Sequence, residues 1–305
     1  CKQCVCVDKN TAVTILGEGE IIAPNGIALA VDGSVTLECG TYTSTGSEDF
    51  SHGVQVSQNA TLSVTGDKVT IRNTGGGSGL NVDDAQSVQL SAGTYSGAKA
   101  IESIVKLSDM LVHTDNTRYA YYQNDIPVTK ASAWVDNNIG DVPLDTPIAW
   151  LSDTVTVKAC NHAGEGVCTY THNENTSTHT KTCLACGQTW TAENCTYTFS
   201  GATGTCAACG DSVTVTVSGT DGLIYDGTEK EPGVTVMRGE TALTAGTDYT
   251  VAYTDNKNAG ENKATVTVTI GNGQGTYTEN FIIGKATLYV APNSQTISYG
   301  ESIRE

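Results

Sequence analysis

Apolar residues in the first hundred positions fall in short alternating pairs: Ile27 and Leu29, Val35 and Leu37, Val54 and Val56, Leu62 and Val64, Val69 and Ile71, Leu80 and Val82, Val88 and Leu90. A period of two predicts short strands with one face turned inward. Gly33, Gly40, Gly66 and Gly93 lie between the pairs, where the chain has to bend. The pattern also repeats. The stretch GIALAVDGSVTLECGTY from Gly26 aligns without gaps with GLNVDDAQSVQLSAGTY from Gly79, and seven of the seventeen positions are identical. GVQVSQNATLSV from Gly53 repeats the opening and divides the offset of 53 into steps of 27 and 26. Strand, bend and strand at a fixed period of this length predict a solenoid whose core forms by stacking coils. The expected fold over 1–123 is a right-handed parallel β-helix. A solenoid end needs a cover, and 124–157, with Pro127, Pro143, Pro147, Trp134 and Trp150, reads as cap and linker.

Two changes of pattern follow. Residues 158–212 hold seven of the eleven cysteines and three of the five histidines, with few apolar positions, and read as a small Cys-rich module. From 213 to 286 the alternation returns in strands of six to eight residues, VTVTVS, GVTVMR, DYTVAYT, KATVTVTI and TENFIIG, separated by turn clusters. That spacing predicts a small Ig-like β-sandwich. Residues 287–305 read as the start of a further, truncated repeat of the same kind.

Composition agrees with an all-β chain of several modules. Thr occurs 46 times and Gly 33 times in 305 residues, whereas Phe, Trp and Met together number eight. The net charge of -17 disfavours nucleic acid and anionic membrane surfaces as partners. No apolar run approaches the ~18 residues of a membrane-spanning helix, so no membrane insertion is expected within this chain.

The cysteines carry the sharpest chemical signal. Cys183, Cys186, Cys206 and Cys209 form C-x2-C-x19-C-x2-C, the spacing of a tetrahedral zinc site made of two knuckles. Gly187 and Gly210 directly follow the pairs and free the backbone to turn toward the sulfurs. A segment this poor in apolar residues needs a staple, either zinc or disulfides. A second arrangement joins Cys160 and His162 to Cys183 and Cys186 and leaves Cys195, Cys206 and Cys209 for another centre; spacing alone does not choose between the two. Cys160, His162 and Cys195 are thus the residues of a second candidate set. His172 and His179 read as loop residues, and Cys1, Cys4 and Cys6 as the tail of a preceding Cys-rich stretch.

No Ser, His and Asp order, nucleophile elbow or carboxylate pair with a positioned base stands out, and the chain is not expected to be an enzyme. The coils offer only Lys68, Arg72 and Lys99 against an acidic sugar polymer. Tyr42 and Tyr95 recur at the coil offset, which fits either a sugar-stacking platform or, more simply, a covered core edge.

The string LIYDGTEKEPGVTV, then LTAGTDYTVAYTDNKNAG, ATVTVTIGNGQGTY and ENFIIGKA, resembles the YDG-type bacterial Ig-like repeats of large Gram-positive surface proteins. CLACG and CAACG, with CTYT at 168 and 195, are similar to zinc-ribbon-like spacers between such repeats in gut Firmicutes. The resemblance implies an extracellular, cell-surface location and a role as adhesin or binding protein, with the solenoid as contact surface and the Ig-like repeat as stalk. Expected partners are a host glycan or a host extracellular protein such as an immunoglobulin or a mucin. A polysaccharide-degrading β-helix enzyme is the alternative.

Overall fold

A computed structural model describes residues 3–114, 116–136, 138–291, 296 and 298–300. Nearly all of the regular structure is strand, and no described helix is long and apolar enough to cross a membrane. The chain divides into two compact units, Cys1–Thr171 with Thr180–Glu193, and His172–His179 with Asn194–Glu305.

The first unit is a β-solenoid of about four turns. Its strands are β1 (Gln3–Val7), β2 (Ala12–Ile15), β3 (Glu20–Ala23), β4 (Ile27–Val31), β5 (Ser34–Ser44), β6 (His52–Val56), β7 (Thr61–Asn73), β8 (Ser78–Val82), β9 (Ser87–Leu90) and β10 (Thr94–Ser103). They pair in parallel, one coil on the next. Val5, Leu29, Val54, Leu80 and Ile101 stack along one face. Val13, Val35, Leu62 and Val88 stack along a second, and Ile21, Tyr42, Ile71 and Tyr95 along a third. The inward positions read from the alternation, Val35, Leu37, Val88 and Leu90, are buried.

The repeated GTY motif has a physical cause. Gly40 and Gly93 take φ values of +106° and +102°, a backbone that side chains disfavour, and a Cβ there would press on the Tyr42 or Tyr95 hydroxyl. The turn folds each tyrosine into the core, where its hydroxyl donates to the carbonyl three residues back, Cys39 at 3.2 Å and Ala92 at 3.0 Å. Tyr42 and Tyr95 are buried, so neither is a sugar-stacking platform.

Asn73 clamps the glycine-rich turn that follows it. Its Oδ1 accepts from the amides of Gly75, Gly76 and Gly77 at 2.8–2.9 Å, and its Nδ2 donates to the carbonyls of Ser51 and Gly46 at 2.7 and 3.1 Å. Asn73→Ala leaves these buried groups without partners and is expected to cost roughly 2–3 kcal/mol. Urea unfolding of the variant checks this; a midpoint equal to wild type would show that the clamp contributes nothing.

The cap is woven into the sheet. It comprises β11 (Tyr119–Gln123), β12 (Ile126–Pro127), β13 (Lys130–Val135), β14 (Asn138–Pro143) and β15 (Ala149–Ala159). β15 runs antiparallel along β10, with Ile101 opposite Leu151, and itself pairs with β11 and β13. Tyr121 is buried and donates to the Leu107 carbonyl at 2.9 Å, under the last coil.

The chain then crosses between units along β16 (Cys168–His172), β17 (Thr178–Cys183) and β18 (Glu193–Asn194). The second unit contains a five-stranded antiparallel sheet, β19 (Tyr197–Ser200), β20 (Thr203–Cys206), β21 (Ser212–Ser218), β22 (Gly233–Arg238) and β23 (Thr241–Ala242). A second sheet holds β24 (Tyr249–Thr254), β25 (Gly260–Ile270) and β26 (Gly275–Ile283). Val213, Val215 and Val236 of the first sheet and Tyr249, Val266, Val268, Ile270 and Phe281 of the second form one core, a β-sandwich.

Two expectations change. The Cys-rich stretch 158–212 is not a unit of its own: 158–171 and 180–193 belong to the solenoid unit, while 172–179 and 194–212 belong to the sandwich unit. The reason is that β20 pairs with β21, so the second knuckle hangs from the sandwich's own sheet. Tyr225 of the YDG turn is exposed, Gly227 takes φ +85° and Asp226 accepts from the Thr228 amide at 2.9 Å. In the expected further repeat 287–305, residues 287–291 form no strand; 292–295, 297 and 301–305 lie outside the described residues, as does Cys1.

Candidate metal centres

Each Cys-x-x-Cys-Gly sequence ends a strand in the same knuckle. In the first, the Gly187 amide donates to the Cys183 carbonyl and the Cys183 amide to the Gln188 carbonyl, both at 2.8 Å. In the second, the Gly210 amide donates to Cys206 and the Cys206 amide to Asp211, again both at 2.8 Å. Gly187 and Gly210 adopt φ +67° and +77°. These turns aim both sulfurs of a pair at one point.

The knuckles do not share that point. Cys183 and Cys186 converge with Cys160 and His162, and Cys206 and Cys209 converge with Cys195 and His179. Within each set, all four ligand atoms lie within 4.8 Å of one another. The expected single site of Cys183, Cys186, Cys206 and Cys209 is thus divided, and the residues group as in the second arrangement: Cys160 and His162 join Cys183 and Cys186, and Cys195 joins Cys206 and Cys209, with His179 added. The physical reason is local. Tyr197 pairs with Cys206 across the β19–β20 hairpin, which carries Cys195 to the second knuckle over a short loop, whereas closing C-x19-C spans a longer one.

The separations fit a tetrahedral ion. With Zn–S near 2.3 Å and Zn–N near 2.0–2.1 Å, tetrahedral geometry sets sulfurs about 3.8 Å apart and sulfur and nitrogen about 3.6 Å apart. Cys160 and Cys183 Sγ are 3.8 Å apart, and Cys195 and Cys209 Sγ 3.7 Å. His162 Nδ1 lies 3.5 Å from Cys186 Sγ; His179 Nδ1 lies 3.5 Å from Cys195 Sγ and 3.8 Å from Cys206 Sγ. A disulfide requires about 2.05 Å, so these pairs are not bonded. The two sets are able to hold a metal ion each.

Charge also points to a cation. In the first set the Cys186 thiol donates to Cys160, which brings Cys160 down to about 5 and pushes Cys186 up, while burial raises Cys183. In the second, burial opposes ionisation of Cys206, but the backbone amides of Cys209 and Ala208 outweigh it and bring that thiol down to about 7; burial pushes Cys195 up. Each cluster thus has one readily ionised thiol, and a divalent ion supplies the positive charge that ionising the raised thiols, Cys183 and Cys186 in one and Cys195 in the other, requires.

The surroundings hold the ligands in place. At the first centre, the Tyr122 hydroxyl donates to the Ala159 carbonyl at 3.1 Å and accepts the Asn161 amide at 2.9 Å, gripping the backbone on both sides of Cys160. Trp190 meets the His162 ring edge-on at 5.1 Å. Cys168 is not a ligand; its Sγ lies 3.7 Å from the His162 carbonyl oxygen. At the second centre, Asp211 Oδ2 accepts from Tyr197 at 2.6 Å and Arg238 at 3.2 Å, bracing the turn after Cys209. His172, Cys195 and Asp211 also lie close together, but the Arg238 guanidinium on that carboxylate opposes a further cation.

His179 is the candidate ligand that reading the sequence missed. A signal was present: Cys160 is followed two residues later by His162, whereas Cys195 is followed by Tyr197, so the second knuckle lacks its histidine. His179 on β17 fills that place. No protein-family model, curated protein or solved structure shows a significant match to the chain.

Proposed function

We propose that the chain is a non-enzymatic attachment segment of a bacterial surface protein, with the solenoid as contact surface, the sandwich as spacer, and a structural zinc ion at each Cys/His centre. The observation that carries this reading is ligand count. Each centre draws three sulfurs and one imidazole from the protein, a closed tetrahedral set with no position left for water or substrate. Three thiolates with one imidazole favour zinc over the hard, oxygen-seeking cations. The resemblance of 213–286 to YDG-type repeats supports a stalk role and an extracellular setting, and the acidic surface suits a soluble, exposed protein.

A screen of the full chain against immobilised glycans and host extracellular proteins, including immunoglobulin and mucin, tests the proposal. Saturable binding to at least one class, with no cleavage of the glycans, is expected. Absence of binding to every class, or turnover of a polysaccharide, would overturn it.

A further inference from the structure

Strand parity on the cap places an aromatic platform on the outer face of the solenoid unit. Residues paired across strands share a face, and the row Asn81, Glu102, Trp150, Ser132 and Asp141 crosses β8, β10, β15, β13 and β14 in register. Trp134 lies two residues beyond Ser132, hence on the same face, opposite Ile139. Its neighbours of opposite parity, Ala131 and Ala133, point into the core.

Trp134 is 67% exposed and is tilted at 54° against the nearly buried Trp150, with ring centroids 6.5 Å apart. Trp150 is held in turn by the Lys99 ammonium over its ring at 5.1 Å. Trp150 also lines a cleft of 260 Å³, together with Lys130, Ser132, Asp141 and Gln123. The side chains of Lys130, Ser132 and Asp141 make no hydrogen bond among the described residues.

We infer that this face binds a neutral carbohydrate, with one sugar ring stacked on Trp134 and its hydroxyls paired with Lys130, Ser132 and Asp141. A pyranose has an apolar C–H face and a rim of hydroxyls that both donate and accept. A rigid indole beside an ammonium, a hydroxyl and a carboxylate complements both parts. The strongly acidic chain and Asp141 disfavour uronates and other anionic sugars. The inference rests on the attachment reading above and names the ligand class and the residues.

The experiment titrates the full chain with cello-, chito- and manno-oligosaccharides, with oligogalacturonate as the charged control, and reads tryptophan fluorescence and calorimetry. At least one neutral series is expected to saturate near about 1 mM or tighter. Trp134→Ala, an exposed substitution that leaves the circular dichroism unchanged, is expected to weaken that binding at least about tenfold, and Trp134→Tyr to restore most of it. Wild-type affinity in Trp134→Ala would overturn the platform while leaving the attachment reading standing. No saturation with any neutral series, or preference for the galacturonate, would also overturn it, and the wider screen then decides attachment separately.

Discussion

Two equivalents of zinc are expected to co-purify with each chain, one lost in Cys186→Ser and the other in Cys209→Ser, while Cys39→Ser keeps both. Separate four-ligand sets demand that result, because each variant opens one set and leaves the other complete. A single equivalent, abolished by either variant, would mean that the knuckles share an ion. Mass spectrometry and metal analysis decide it.

Chelation should have a large effect. Ligation by such sites is worth about 10–16 kcal/mol at neutral pH, as much as or more than the ~5–15 kcal/mol that separates a typical folded domain from its unfolded state. From sequence alone, a metal-stapled spacer would melt and leave its neighbours intact. The structure changes that expectation, since Cys195 and Cys206 are buried in the sandwich core beside Val213, Val236 and Phe281, and Cys183 and Cys186 pack with Ala120, Tyr122 and Val167. Removing the ions leaves buried thiols without their partner at the edges of both units. Hydrogen exchange after chelation is therefore expected to rise across 160–190 and 194–218, while β4 to β9 stay protected, because among the described residues the solenoid core contains no cysteine. Unchanged protection in 194–218 would show that the sandwich does not depend on its ion.

Leu90→Asp should unfold the solenoid. Leu90 is fully buried, stacked on Val64 in the preceding coil and bridged to Leu111 beyond. A carboxylate there has no partner, and burying it costs more than the ~4–5 kcal/mol that only core disruptions reach. Coils are stabilised by their neighbours, so the defect propagates to both sides. Gln89→Asp is the control: Gln89 is exposed on the same strand, and its change should stay within about 0.5 kcal/mol. A soluble Leu90→Asp protein with a cooperative transition near wild type would contradict the observed core.

Whatever depends on neighbours along the chain was legible in the sequence. Alternation set which side chains face inward, Gly40 and Gly93 set the turns that bury Tyr42 and Tyr95, and each Cys-x-x-Cys-Gly set its own knuckle, because each is decided within a few residues by strand parity or backbone torsion. What depends on which strand returns beside which was decided only by the tertiary structure. The β19–β20 hairpin and the placement of β15 beside β11 assigned Cys195 to one knuckle and Cys160 to the other, and β17 supplied His179. Likewise Trp134 and Trp150 both read as cap residues, and pairing of β13 with β14 and β15 left one ring in solvent and covered most of the other. Spacing along a chain measures only how much loop must close, and a ligand set is chosen by the packing that closes it most cheaply.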